Sequence, residues 1–442
     1  MHTVILGAGI SGLSSAYALG QRRGETYNLY EKEMEIGGLC RTRQQGGFTF
    51  DVVSHVLHFR TAAAEQFVHA ILDGHLQRIV RNAWIFFRGH YVPYPFQTHL
   101  GFLPAGEQAS CLWGYARAWV DRQFNGARPP ANFGAWIRQH FGAGIAQSFM
   151  IPYNTKLWGL PPEEMSADWV SPFVPRISFS QAVAGWLSKR NNEMGYNSSF
   201  YYPESGGIQA LVNGLASHTH GISLGREVVQ VDLDRKTVLF QTGETVPYDR
   251  LVSTIPLKAL VLSARGIPED LRRAAAELRS TSLLNVTCCV CHPLPHRYHW
   301  VYFPEPEFPF FRLLFPANIS PAMVPENCSL VCAEISNPDL TRRDELELQT
   351  RELLVSLGMV KRPSDIVSTS CTYLDHAYPV HDLKREALVE RLLEFLRSRD
   401  VWSVGRFGSW RYSSIDDAIV QALEVAQQIS QPGPVEVPDF LA

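Results

Sequence analysis

A glycine-rich run, GAGISG, begins at Gly7 directly after the apolar Val4-Ile5-Leu6. Gly7, Gly9 and Gly12 have the spacing G-x-G-x-x-G, and the stretch TVILGAGISGLSSAYAL reads as strand, tight turn and helix. Each glycine has its own physical reason. The turn needs one, close backbone approach to a pyrophosphate needs another, and helix–strand packing needs the third. A helix that starts at such a turn offers free N–H groups and partial positive charge to an anion. The next strand, in YNLYEKE, ends at Glu31, where a carboxylate meets a ribose hydroxyl. The chain therefore begins with a βαβ unit built for a dinucleotide.

With 442 residues, 45% of them apolar and 19% charged, the chain can bury a large core in two or three domains. Its formal net charge of −3 provides no field to recruit nucleic acid, and no apolar run is long enough to span a membrane. The first strand starts at once, so no signal peptide is expected and the setting is read as cytoplasmic. The eight cysteines are scattered, and TCCVC at 287–291 lacks a second ligand pair, so buried reduced thiols rather than a metal site are expected.

The fold class expected is α/β, a Rossmann-like, discontinuous dinucleotide-binding domain with a helical domain and a mixed β-sheet domain. The boundaries expected are 1–95 plus 200–257 plus 400–442 for the nucleotide-binding domain, 96–199 for a mainly helical domain and 258–399 for the sheet domain. Apolar residues recur at three and four through EQASCLWGYARAWVDRQF and ANFGAWIRQHFGAGIAQSFM, which predicts helices. LVSTIP reads as a strand returning to the nucleotide-binding sheet. The end of the chain reads as strand, loop and a helix that opens on Ser413, Ser414, Asp416 and Asp417, residues suited to a cap and first turn.

A second signal narrows the dinucleotide to FAD. EIGGLCRT supplies Gly37, Gly38, Arg41 and Thr42 and resembles the G-G-x-x-R-T segment of two-domain FAD proteins such as amine oxidases and protoporphyrinogen oxidases. Here Arg41 is a candidate phosphate partner. GRFGSWRY with the capped helix is similar to that group's second flavin-contacting segment, which brings in Arg406, Tyr412 and Asp416; Val228 joins the cofactor-binding set.

Other segments look made for a sugar nucleotide. YVPYPFQ sets Tyr94 and Phe96 beside the amide of Gln97, a kit for stacking and hydrogen-bonding a base. PYNTKLWGL adds Tyr153, Asn154, Lys156 and Trp158, and FPFFRLLF places Arg312 in an apolar run, where a guanidinium needs an anion. Tyr302, Tyr378 and Tyr412 can donate to phosphate oxygens, with Arg176 and Arg406 as further cations. Taken singly, each tyrosine is better explained by core packing.

The order Y-V-P-Y-P-F-Q, S-F-M-x-P-Y-N-x-K-x-W, P-F-x-R, H-x-Y-P and G-R-F-G-S-W-R-Y resembles the UDP-galactopyranose mutases, especially the eukaryotic type, from Val4 to about Ala426. The resemblance implies a flavin-dependent isomerase that interconverts pyranose and furanose forms of a UDP-sugar. In it, N5 of reduced FAD is the nucleophile at the anomeric carbon, and NADPH or NADH is the reductant. It implies His55 beside the flavin, Tyr94, Phe96 and Gln97 around uracil, and Phe149, Asn154 and Trp158 near the uridine. By the same resemblance Tyr302, Arg312, Tyr378 and Tyr412 would form the diphosphate clamp, Arg176 would be the loop arginine, and Asn197 would lie on the sugar side. His55, Arg176 and Arg312 are the catalytic candidates. The chain departs from the family at Val53 and Ser54, where two glycines usually precede the histidine, and WVSPFVPRIS is longer before its arginine. Two other readings stay open: an oxidoreductase of the amine-oxidase class, and a UDP-sugar-binding homologue with altered catalysis.

Overall fold

The first strand, β1 (His2–Leu6), is buried along its length after His2, as a central strand of a parallel sheet must be. It runs parallel to β2 (Thr26–Tyr30) on one side and to Arg250–Ser253 on the other. The edge strands are Ile222–Ser223 and Val401–Ser403, so five strands drawn from distant parts of the chain make one sheet. LVSTIP does return beside β1. The computed structural model describes residues 1–126, 129–170, 173–188 and 198–429, and the protein is α/β.

Helix α1 (Ile10–Gly20) leaves β1 through the glycine turn and is buried on most of its surface, with Ile10, Leu13, Ala16 and Leu19 in the core. Two glycines make this approach possible. A Cβ at Gly12 would lie 1.8 Å from the Gly7 carbonyl oxygen, and one at Gly7, where φ is +97°, would lie 2.3 Å from Thr254 Oγ1. The final helix, Ile415–Ile429, packs against α1 and opens with the Ser414 N–H donating to Asp417 Oδ2 at 2.9 Å, the local cap expected there.

A seven-stranded sheet forms the second layer, in the order Ile366–Pro379, Ser280–Val290, Ser329–Ser336, Arg312–Leu314, Trp300–Tyr302, Ala83–Phe87, His90–Pro93. Its pairs are antiparallel except that between Trp300–Tyr302 and Ala83–Phe87. Hydrogen bonding thus carries the hairpin at 83–93 into the large sheet rather than the parallel one. Ser280–Val290 is buried on both faces, which covers Cys288 and Cys289. All eight cysteines are free, and Cys291, just past the strand end, is exposed, so the expectation of buried thiols fails there.

The helices Ala105–Asn125, Phe133–Ile145, Ile151–Trp158 and Phe179–Ser188 build a layer with its own core of Tyr115, Phe133, Ile137 and Phe141. Asn132 caps the second of them, accepting from Ala135 N–H at 2.7 Å. Among the described residues no helix is long and apolar enough to cross a membrane.

Gly12→Ala is expected to destabilise the protein by about 2–4 kcal/mol, because backbone must move to admit one methyl group. The midpoint of chemical denaturation, compared with that of Gly106→Ala, whose added Cβ meets nothing within 4 Å, checks this.

Candidate active site

The turn between β1 and α1 is tied on three sides by backbone. Gly7 N–H donates to the Tyr30 carbonyl at 2.8 Å, Gly37 N–H to the Ala8 carbonyl at 2.8 Å, and Gly9 bridges to Gly37. Glu31 is buried; its Oε2 accepts from Ala8 N–H at 2.7 Å and its Oε1 from Glu33 N–H at 3.0 Å. Gly9 stands at the N-cap of α1 with no side-chain bond to the helix, so the first-turn N–H groups have no side-chain cap. A Cβ on Gly9 or Gly38 would fill the narrow gap between those two residues. Arg41 borders this turn, its Cγ 3.0 Å from a Cβ built on Gly37, and its Nε is buried without a partner among the described residues. Its Nη1 is bound to Glu35 Oε1 at 2.6 Å. Glu35 is held down to about 2, first by its hydrogen bond from Arg43 and then by the charges of Arg41 and Arg43 against the cost of burial. A glycine cradle, an uncapped helix start and an orphaned buried donor fit the diphosphate of a dinucleotide.

Where the three layers meet, two adjoining compartments share the walls Phe173, Tyr302, Arg312, Tyr378 and Tyr412. The first also has Val53, Ser54, His55 and Arg406; the second has Tyr94, Gln97, Phe149, Tyr153, Asn154 and Trp158. Arg312 stands at the partition. It lies directly across the strand pair from Glu334, and donates through Nε at 2.7 Å and Nη2 at 2.5 Å to Glu334 Oε2. Glu334 is wholly buried. Burial opposes the guanidinium charge, but the Glu334 carboxylate beside it raises its pKa, so Arg312 stays charged. The phenols of Tyr153, Tyr302 and Tyr378 are pushed up, chiefly by burial, and stay protonated.

His55 donates from Nδ1 to the Val53 carbonyl at 2.9 Å, because a carbonyl can only accept. Burial, and then the charge of Arg406, lowers it to about 4, which leaves a neutral ring whose Nε2 is an acceptor. Arg406 donates to the Ser413 carbonyl through Nε at 3.0 Å and Nη2 at 2.6 Å, and its guanidinium lies 5.6 Å from the Tyr378 ring centre.

The remaining residues singled out in the sequence divide. Gln97 faces the second compartment with its amide N–H donating to the Pro175 carbonyl at 2.8 Å, which leaves Oε1 to the cavity. Asn154 donates to the Met150 carbonyl and accepts from Trp158 Nε1 at 3.3 Å. Phe96 is not at the wall: it is fully buried and stacks behind Phe149 at 5.0 Å. Lys156 is turned away as well, donating to the carbonyls of Phe303 at 2.9 Å and Phe308 at 3.0 Å, with its pKa lowered to about 8 by burial. Arg176 is exposed and lines neither compartment. Asp416 accepts from the Arg60 N–H at 3.1 Å while its neighbours Ser413, Ser414 and Ile415 reach the cavity. Val228 lies outside both compartments, two residues beyond Arg226, whose N–H donates to the Glu31 carbonyl at 2.7 Å. Asn197 lies outside the described residues. Sequence reasoning missed Glu334 and Phe173. A lone acid in the apolar strand SLVCAEIS was a usable signal for the first; nothing local marks the second.

Fold and cradle together define a dinucleotide-binding α/β protein. The chain belongs to the flavin containing amine oxidoreductase family, which it matches over residues 10–342. Its structure is similar to that of a reduced UDP-galactopyranose mutase, with a TM-score of 0.90 and 29% identity over 97% of this chain and 93% of that one. It also shares the fold of a putative protoporphyrinogen oxidase from Exiguobacterium sp. 255-15, with a TM-score of 0.74 and 17% identity over 97% and 98%. By sequence it is 25% identical over 306 residues to a coproporphyrinogen III oxidase of Mycobacterium tuberculosis, which is 65% of this chain and 66% of that protein. The chain thus spans just under two thirds of the length of the curated relatives it first matches.

His55, His58 and His299 are held at about 4 and His381 at about 3, mainly by burial. Each is neutral when folded and gains a proton on unfolding once the pH is below its ordinary value near 6.5. Their contribution is complete above about 6.5 and is lost as the pH falls toward about 4. The urea midpoint measured across that window should fall steadily; a flat profile would contradict the burial of these rings.

Proposed function

We propose that the protein is a flavin-dependent mutase that interconverts the pyranose and furanose forms of a UDP-sugar, UDP-galactopyranose or a related UDP-hexose. The observation that carries this reading is Arg312. Its partly buried guanidinium stands, with Tyr302, Tyr378 and Tyr412, at the partition between a compartment beside His55 and one lined by aromatic rings and amides. A cation flanked by phenols suits a diphosphate, with the sugar on one side and the nucleoside on the other. It does not suit the protonated amines on which an amine oxidase acts. Similarity over nearly the whole chain to a UDP-galactopyranose mutase supports the same reading.

FAD, held at the glycine cradle and reduced by NADPH or NADH, would supply a nucleophilic nitrogen for the anomeric carbon. The chain's own residues do the rest. Arg312 and the three phenols bind the diphosphate and stabilise the charge that grows on it as the sugar–phosphate bond breaks. They also hold UDP in place while the sugar recloses through another hydroxyl, so that it can return to the same carbon. Phe149 and Tyr153, stacked at 5.3 Å, offer a face for the base, and Gln97 Oε1 an acceptor for its edge. Neutral His55 presents Nε2 as an acceptor without adding charge beside the flavin. Arg406, anchored on the Ser413 carbonyl, adds a second fixed cation at the flavin-side compartment.

Family membership and the likeness to coproporphyrinogen III oxidase support a second reading, net oxidation of a substrate. The two separate in one experiment. Dithionite-reduced protein incubated anaerobically with UDP-galactopyranose and other UDP-hexoses should yield UDP-furanose, and oxidised protein none. Substrate-dependent flavin reduction with peroxide in air, and no furanose product, would establish the oxidoreductase instead.

Arg312→Ala should weaken UDP binding by about 2–4 kcal/mol, the scale of a buried charge-assisted pair. Arg312→Lys, which keeps a charge opposite Glu334 but loses the fork, should retain the fold and still lose a large part of that affinity. Isothermal titration with UDP checks both.

A further inference from the structure

The strand Ser280–Val290 carries one amide, Asn285, which is 1% exposed and reaches neither compartment of the cavity. It belongs to a row of polar residues that crosses the large sheet. Asn285 stands opposite Glu334, Glu334 opposite Arg312, and Arg312 opposite Tyr302, so the four share one face. From that face the Asn285 side chain reaches a distant part of the chain and donates through Nδ2 to the Val52 carbonyl at 3.0 Å. The Val52 N–H donates to the Arg41 carbonyl at 2.8 Å, so Val52 is held on both sides. Beyond it, residues 53–56 make no backbone–backbone hydrogen bond among the described residues, until Leu57 exchanges two with Tyr201 at 2.9 and 2.8 Å. His55 stands within this span, and Val53, Ser54 and Val56 line the first compartment with it.

We propose that Asn285 is a positioning residue: its bond to Val52 ties the span that carries His55 to the same strand row that carries Arg312. His55 in the flavin-side compartment and Arg312 at the partition then keep a fixed spacing. The chemistry of the amide favours this over packing. Asn285 Oδ1 is buried without a partner among the described residues, and an oxygen in that state costs stability. A leucine would fill nearly the same space without that cost, so what the amide adds is the bond to Val52. Loss of that bond leaves the Val52 carbonyl unpaired and the near end of the span tied only through the Val52 N–H. Val53 packs with Leu283, Phe311 and Ala377, a contact without the direction of a hydrogen bond. The part of Asn285 in turnover rests on the mutase reading; its part in placing His55 does not.

Histidine titration by NMR on the flavin-loaded full-length protein tests it, with the His55 signal assigned by its loss in His55→Gln. Burial, with Arg406 and Arg312 as the charged groups facing the ring and the phenols of Tyr302, Tyr378 and Tyr412 across the compartment, holds wild-type His55 at about 4. In Asn285→Leu, which keeps the volume and removes the donor, the freed ring meets water, so its titration should move up toward 6.5. Asn285→Ala should do the same. Thr287→Val should not; it lies two residues along the same face, at a buried hydroxyl that donates to Cys332 Sγ at 3.5 Å. Flavin absorbance and the urea midpoint, both expected near wild type in Asn285→Leu, show that the variants are loaded and folded. In turnover kcat should fall about tenfold or more in both Asn285 variants, while KM and UDP affinity stay within about twofold, because Glu334 still aims Arg312. A His55 that titrates near 4 in both Asn285 variants overturns the proposal. So does a fall in kcat that Thr287→Val reproduces, which would make the effect one of packing. Should the wild type form no furanose, the mutase reading fails and the titration alone decides the placement of His55.

Discussion

The contact on which the architecture depends is the approach of α1 to the end of β1, where only hydrogen fits between Gly12 and the Gly7 carbonyl. With the helix at that distance, its free N–H groups meet the strand ends of the parallel sheet, and the loop carrying Gly37 and Gly38 can bond to the same turn. Glu31 fixes the arrangement from the second strand by accepting the Ala8 N–H. The cradle is therefore pre-formed by backbone rather than by flexible side chains. That suits a group which must be bound tightly while other groups come and go.

A second constraint organises the cavity. Arg312 and Glu334 are register partners on adjacent strands, so their pairing is set by the ladder itself. Taking both ions from water is costly, and a pair of this kind is weak evidence of stability. Its value lies in orientation. Glu334 takes Nε and Nη2 on one oxygen, which aims the guanidinium along a fixed direction at the partition between the compartments. The aromatic wall behind it is also fixed by packing: Phe96 backs Phe149, Phe149 stacks on Tyr153, and Tyr153 meets Tyr302 edge-on at 5.3 Å. Rigid supports of this kind reduce what binding must spend on ordering side chains.

The residues legible in the sequence were those whose roles are local. The strand–glycine–helix run, the acid at the end of β2 and the serines and aspartates that open the last helix depend on neighbours within a few positions, and each lies where its local pattern puts it. The tyrosines and Arg312 were legible through motif order, and they converge on the shared wall. Phe96 and Lys156 belong to the same strings as wall residues but face elsewhere. One turns into the helical core, and the other is drawn to the carbonyls between Phe303 and Phe310. Adjacent positions in one string carry no statement of which way each side chain points. Phe173 was invisible because its place at the wall depends on contact with Tyr412, 4.6 Å away by ring centre but distant in sequence.

The sequence by itself determined the dinucleotide cradle, the α/β class and the inventory of cations, phenols and aromatic rings, because spacing along the chain carries those directly. Only the tertiary structure decided how the inventory is divided. It set Glu334 behind Arg312, made His55 a neutral acceptor by burial and left Arg176 outside the cavity. Burial and strand register are relations between distant segments, and they exist only once the three layers have packed.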